Sequence, residues 1–343
     1  MSRYAAAHMN PQGPGDSRPT ALQIVKDNDM EGKLAGKVIV ITGVSSGIGI
    51  ETVRALAMTG ATFYLTARDL NKAKNALADI LLDADDRMTL VEMDQTSLDS
   101  VRSAAATILA KTNYRGVNIL INNAGIMMVP DRQLTKDGYE LQFGVNYLSH
   151  FLLFQLLKPA LLLAASITSA EFPSRVVNVS SSAHRYKGIN GSDNYSFQKE
   201  GSYDPQAAYA QSKTAQVYMA NKIERLYGSR GLHSTSLNPG FIATAIGRYL
   251  PKEVIGFMLQ NDFLVNKYRK SPEQGAATTV WAAIGKEWQS KGGKYLNNCG
   301  VSERGADDAP ITDGTYVSHT YSPEDEARLW KDSLAMVGLP DDT

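Results

Sequence analysis

The feature that most constrains this chain is a change of pattern that begins at Lys37. From there, short β-branched runs alternate with longer amphipathic stretches, which is the pattern of parallel strands joined by helical crossovers. The runs cover residues 38–41, 62–66, 88–92, 118–121, 176–179 and 233–237. They are apolar without strict alternation, as suits strands covered on both faces. Helices are predicted between them at 47–58, 71–82, 98–110, 139–163 and 209–227, with Gly60 and Gly228 as stop signals. The expected fold class is α/β: one doubly wound parallel sheet with helices on both faces.

Three stretches fall outside this repeat. Residues 185–206 are polar and rich in glycine, so a surface loop is expected there. Residues 241–270 carry Phe241, Ile242, Ile246, Tyr249, Leu250, Val254, Ile255, Phe257, Met258, Leu259, Phe263 and Leu264, too apolar for an ordinary connection. This segment is expected to form a substrate lid over an apolar pocket. In the tail, Ser322 caps a helix that has Pro323 at its first position and Glu324 and Asp325 in its first turn. Trp330, Leu334 and Val337 then give it one apolar face. The expected organisation is a flexible extension over 1–36, a single domain over 37–300, and a C-terminal extension over 301–343 packed on that domain.

Composition excludes several function classes. Thirty-five basic and 35 acidic residues cancel, with the basic ones scattered, so no nucleic-acid footprint exists. One cysteine, Cys299, cannot close an internal disulfide, and the five histidines lack metal-ligand spacing, so no metal is expected. The first 36 residues have no apolar stretch behind a basic start and are expected to be neither signal peptide nor anchor. The apolar stretch 151–165, broken by Gln155, Lys158 and Pro159, is expected to be too short to cross a bilayer. A cytoplasmic, reducing location follows as the expectation.

The chemistry begins where the first strand runs into Thr42-Gly43-Val44-Ser45-Ser46-Gly47-Ile48-Gly49 and a helix. Glycines let backbone approach a pyrophosphate, whose charge meets the helix N-terminus. By itself the same spacing also makes a tight turn with no ligand. The second strand ends in Ala67-Arg68-Asp69. Ala67 leaves no acid for a ribose 2′-hydroxyl, whereas the Arg68 guanidinium fork matches a 2′-phosphate, so NADP(H) is expected. Asp69 keeps NAD(H) open. Asp94 ends the third strand, and Asn122-Asn123-Ala124-Gly125 the fourth, at the carboxyl edge where ligands bind. Asn146 falls inside a predicted helix, where a short amide is disfavoured; taken alone it would face solvent. Tyr209 and Lys213 stand four apart on one helix face. A tyrosine that exchanges protons near neutrality must fall about three units from about 10, which needs about 4 kcal/mol. Lys213 beside a positively charged nicotinamide could supply that.

Taken together these residues resemble the short-chain dehydrogenase/reductase family, along nearly all of residues 37–299. The resemblance rests on Thr42-Gly43-x-x-x-Gly47-x-Gly49, Asp94, Asn122-Asn123-Ala124-Gly125, Asn146, Ser180-Ser181-Ser182, Tyr209-x-x-x-Lys213, and Asn238-Pro239-Gly240 with Thr244, in the family's order. Within the family the chain looks most like the retinol-dehydrogenase-like group of lipophilic carbonyl reductases. That closer likeness lies in the stretch from Phe143 to Phe151, in Asn178 to His184, in Gly293-Lys294-Tyr295-Leu296 with Cys299, and in Leu329-Trp330. The resemblance implies a Rossmann-type domain and hydride exchange between NADP(H) and a carbonyl or secondary alcohol of a bulky, mostly hydrophobic substrate. It makes Tyr209 the general acid/base, and Lys213 the group that lowers the phenol and holds the ribose. Asn146 would hold a relay water. Ser181 would position the substrate oxygen, with Ser182 as the alternative.

For the cofactor it implies Gly43, Ser45, Ser46, Gly47, Ile48 and Gly49 at the phosphates and Arg68 at the 2′-phosphate. Asp94 would meet the adenine, Asn123, Ala124 and Gly125 the adjoining edge, and Pro239, Gly240, Ile242 and Thr244 the nicotinamide. Family members commonly pair through the two long helices, so a homodimer is expected. Two other functions stay open at this point: a cofactor-binding member without catalysis, and a redox-neutral isomerase or cyclase.

Overall fold

The computed structural model describes residues 2–82, 85–112, 116–168, 172–250, 253, 256 and 263–341. Its centre is an eight-stranded sheet of order β3-β2-β1-β4-β5-β6-β7-β8. The strands are β1 (Val38–Thr42), β2 (Thr62–Ala67), β3 (Met88–Glu92), β4 (Ile119–Asn122), β5 (Ser174–Val179), β6 (Leu232–Asn238), β7 (Tyr295–Asn297) and β8 (Gly300–Val301). All neighbours are parallel except β7 and β8, an antiparallel hairpin. The family-wide Rossmann architecture expected from sequence is what forms.

Side-chain alternation in β1 explains why its run carries no polar face. Ile39 and Ile41 enter one core, and Val38 and Val40 the other. The first core lies under helices Ala21–Asp27, Ile48–Ala57 and Ala277–Ile284. The second lies under Leu98–Lys111, Ser149–Thr168, Pro205–Tyr227 and Pro323–Met336. Strand order reverses between β1 and β4, and that switch opens a crevice at the carboxyl edge.

The extension before β1 was expected to be flexible, yet it is held down. Thr20 caps helix Ala21–Asp27, whose Ile24 and Val25 are fully buried. Arg18 is buried as well and donates to the carbonyls of Gly13, Tyr268 and Arg269. The segment 185–206 is also more than a surface loop. Tyr195 and Phe197 are buried, with the Tyr195 ring stacked on Phe143 at 5.6 Å. Arg185 reaches Thr315, Ala306 and Ala309.

The last helix, Pro323–Met336, touches both of the long helices through which pairing of two copies was expected. Trp330 meets Phe151 edge-on at 5.0 Å, Tyr147 bonds Ser333 at 2.8 Å, and Glu326 holds Asn221 and Arg225. Tyr147 and Phe151 also belong to a longer apolar helical run than the sequence reading allowed. Leu141–Ile167 spans 27 residues, long and apolar enough by composition to cross a membrane, with 61% of its apolar window buried inside the fold.

Candidate active site

At the carboxyl edge a cavity of about 1110 Å³ collects the strand ends. Its first wall is the turn after β1. Gly43 has φ +74°, and a Cβ there would stand 2.7 Å from Ala124, so only glycine lets the β1 and β4 loops meet. A Cβ on Gly49 would collide with the Gly43 carbonyl and stand 2.8 Å from Asn123 Nδ2. The helix Ile48–Ala57 begins at Gly47 without a side-chain cap. Its first N–H groups are therefore left for an anion, and Ser45, Ser46, Gly47 and Ile48 all line the cavity beside them. This cradle fits a pyrophosphate.

Arg68, exposed after β2, lines the same cavity, and among the described residues it has no ion pair. Asp69, the residue that kept NAD(H) open, lines the cavity as well, and its carboxylate caps helix Leu70–Ala76 by accepting from Lys72 N at 2.9 Å. Lys72 also lines the cavity, a second cation that the sequence reading missed. Asp94 stands at the end of β3. Burial pushes its carboxyl up, but bonds from Thr96 and Lys136 outweigh that and leave it low.

Asn123, Ala124 and Gly125 follow β4, fixed by one hydroxyl: Thr42 Oγ1 accepts from Asn123 N and Ala124 N, each at 3.0 Å. His150 Nε2 lies 2.8 Å from that hydroxyl, and its Nδ1 lies 2.8 Å from the Asn146 carbonyl. Burial holds this imidazole down at about 4, so it is neutral, and a proton on Nδ1 satisfies both contacts. Thr42 and His150 thus tie the β1 end to the helix that carries Asn146. The available signal was a histidine one turn beyond Asn146.

Asn146 is fully buried rather than solvent-facing, and it sits in a π-helical turn, Gly144–Leu148. Its side chain serves the Ile126 backbone, accepting from N at 2.8 Å and donating to O at 2.9 Å, and it donates to Ser212. It stands behind the cavity wall. Gly125 gives access toward it: a Cβ there would be 3.3 Å from Asn146 Oδ1 and 3.5 Å from Lys213 Nζ.

Tyr209 and Lys213 lie in the second and third turns of Pro205–Tyr227, a helix that starts four residues before the expected position because Asp204 caps it and Pro205 fills its first position. Both side chains are buried, and both line the cavity with Ser181. Lys213 Nζ donates to the Val179 carbonyl at 2.8 Å and stands 5.7 Å from the Tyr209 ring centre. Burial holds Lys213 down at about 7. The Tyr209 phenol moves against the expectation: burial pushes it up to about 12, opposed only by its hydrogen bond with Ser181. The protein's own groups therefore keep it protonated. Of the two serines left open, Ser181 meets Tyr209; Ser182 lines the cavity, and Ser180 is buried, donating to the Lys213 carbonyl at 2.7 Å.

Pro239, Gly240, Ile242 and Thr244 form the wall after β6. Of the expected lid, Phe241, Ile246, Tyr249 and Leu250 line the cavity too. Val254, Ile255, Phe257, Met258 and Leu259 lie outside the described residues.

A model of the short chain dehydrogenase family matches residues 37–204. The chain is 47% identical over 342 residues to the short-chain dehydrogenase/reductase prx1 of Penicillium roqueforti, covering 98% of this chain and 95% of that one. It is 34% identical over 312 residues to retinol dehydrogenase 11 of Homo sapiens, covering 90% of this chain and 88% of that one. Among solved structures, an uncharacterized protein from Mycobacterium Paratuberculosis superposes with a TM-score of 0.67 at 26% identity, over 94% of this chain and 98% of that one.

Proposed function

We propose that this chain, which belongs to the short-chain dehydrogenase/reductase family, is an NADP(H)-dependent reductase of a bulky, mostly apolar ketone. The carrying observation is convergence: Tyr209, Ser181 and Lys213 share one cavity with the glycine turn and Arg68. Bound NADPH would supply the hydride that the carbonyl carbon takes up. The chain's residues do the rest. Ser181 holds the carbonyl oxygen, and Tyr209 donates its proton as that oxygen gains charge. A phenol at about 12 is protonated at neutral pH, the state from which it donates. Lys213 offers its ammonium to the nicotinamide ribose.

Cofactor choice rests on Arg68, backed by Lys72, two cations on the cavity wall. Choice of an apolar substrate rests on Phe241, Ile246, Tyr249 and Leu250. The resemblance to retinol dehydrogenase 11 supports a lipophilic substrate as well. The test is consumption of NADPH with a panel of bicyclic and long-chain ketones. Turnover of the bulky members with NADPH, and weaker turnover with NADH, is expected. Lack of turnover with every ketone, or a preference for small charged ones, would overturn the reading.

A further inference from the structure

Beyond the reacting groups, the cavity is closed by three segments remote in sequence: the arm before residue 20, the end of the 241–270 segment, and the β7–β8 turn. The arm brings His8, Pro11 and Arg18 to the wall, and the turn brings Asn298. Asn298 and Cys299 have φ +53° and +51°, the two left-handed residues that a tight hairpin between Asn297 and Gly300 demands.

Lys270 is the centre of this end. It is 4% exposed, and its Nζ donates to the Pro239 carbonyl at 3.1 Å and to Asn298 Oδ1 at 2.9 Å. An ammonium has three donors, so one remains. The charged and titratable groups that face it are Cys299, Arg18, Asp16 and, from the arm, His8. Asp16 is committed to Arg18 at 2.8 Å, and burial keeps the Cys299 thiol neutral by pushing it up to about 11. No carboxylate is therefore dedicated to this buried cation among the described residues. His8 adds a second anomaly: both its ring nitrogens are buried without a hydrogen-bond partner. Burial, then the charges of Lys270 and Arg18, hold it down at about 3, so it is neutral with one N–H to give. Asn298, whose oxygen is taken, keeps its amide N–H donors. An unmatched cation and unpaired donors in one wall are costly unless an acceptor meets them.

We propose that Lys270, Asn298 and His8 form an anchor for an acceptor oxygen group, a carboxylate by preference, carried by the substrate away from its reacting carbon. The inference rests on the cavity being the substrate site proposed above. The anchor is assigned to the substrate because Val265 and Tyr268, on the same segment as Lys270, line the cavity beside it with an aliphatic and an aromatic side chain.

The test is calorimetric titration of the NADP+-loaded protein with octanoate, methyl octanoate and octylammonium, probes of one chain length and three charges. Octanoate should bind about tenfold or more tighter than octylammonium, with the ester between them. Lys270→Met should bring octanoate down to the level of the ester, Lys270→Arg should retain the preference, and His8→Phe should weaken both acceptor probes several-fold. In each variant NADP+ affinity should change far less than octanoate affinity. Should Lys270→Met fail to fold, His8→Phe on the arm carries the test. Equal binding of the three probes, no binding of any, an unchanged preference in Lys270→Met, or a loss of NADP+ affinity matching that of octanoate would each overturn the anchor. None of these readouts measures hydride transfer, so the reductase reading stands or falls separately.

Discussion

On the glycine-turn side of the cavity the wall is built from residues at or just beyond strand ends: Gly43 after β1, Arg68 after β2, Asp94 two residues past β3 and Asn123 after β4. On the far side the wall is assembled from the arm, from Val265, Tyr268 and Lys270, and from the tail around Ile311, with contacts between segments remote in sequence, as between Arg18 and Arg269. The first side gets its geometry from the sheet, which two covered faces make rigid. The second gets its geometry from loops pinned to one another by side chains. A sheet-built wall suits what all substrates of such an enzyme share, the cofactor and the reacting carbonyl. A loop-built wall suits what distinguishes one substrate from another.

That contrast can be broken by substitution. The largest effect is expected where the two sides meet. Tyr209→Phe keeps the ring's packing and removes only the hydroxyl, so turnover should fall about 10²–10⁴-fold while NADPH affinity holds. Steady-state kinetics beside a binding titration checks this; normal turnover would remove Tyr209 from the chemistry. Ser181→Ala should also slow turnover, and Ser182→Ala should not.

The next effect tests the sheet-built side alone. Arg68→Ser should weaken NADPH by about 2 kcal/mol, roughly 30-fold, because a charge-assisted phosphate contact is lost. NADH should barely change. Equal losses measured by fluorescence titration would refute the 2′-phosphate assignment.

A smaller effect follows from Lys213. Burial holds its ammonium at about 7, well below the ordinary lysine value, so the folded chain carries it increasingly neutral above that pH. Its own contribution to stability thus rises with pH from about 7 toward the ordinary lysine value, since the unfolded chain binds the proton more tightly. Cofactor binding that needs the ammonium must then take up a proton above pH 7, and affinity should fall by up to about tenfold per pH unit. Calorimetry in two buffers of different ionisation enthalpy should register proton uptake at pH 8 and little at pH 6. In Lys213→Met both the uptake and the slope should vanish; a slope that survives would belong to another group.

The same contrast marks how far the sequence could be read. Strands β1 and β4 announced themselves because their buried runs of isoleucine, valine and leucine leave no polar face. Strand β7, Tyr295–Asn297, is too short to show a period, and helix Ala277–Ile284 is buried throughout and so lacks an amphipathic face. Helix Ala21–Asp27 was hidden by the prolines and glycines before it, although Thr20 supplied a cap. Spacing put Tyr209 and Lys213 on one helix face, the resemblance added Ser181 with Ser182 as its alternative, and all four line one cavity. Neither could foretell that Asn146 would spend its amide on Ile126 behind the wall, nor that burial would raise the Tyr209 phenol rather than lower it. Lys270 and His8 escaped notice because they are brought together by tertiary contacts alone.

The central claim, that this cavity moves a hydride from NADPH to a carbonyl with Tyr209 as the acid, is tested most directly by isotope transfer. The protein would be incubated with NADPH deuterated at the nicotinamide C4 position and a bulky ketone, and the alcohol analysed by mass spectrometry. The account expects one deuterium at the carbinol carbon with the native chain and about 10²–10⁴-fold less alcohol with Tyr209→Phe. Alcohol without deuterium, or equal yields from the two proteins, would contradict it.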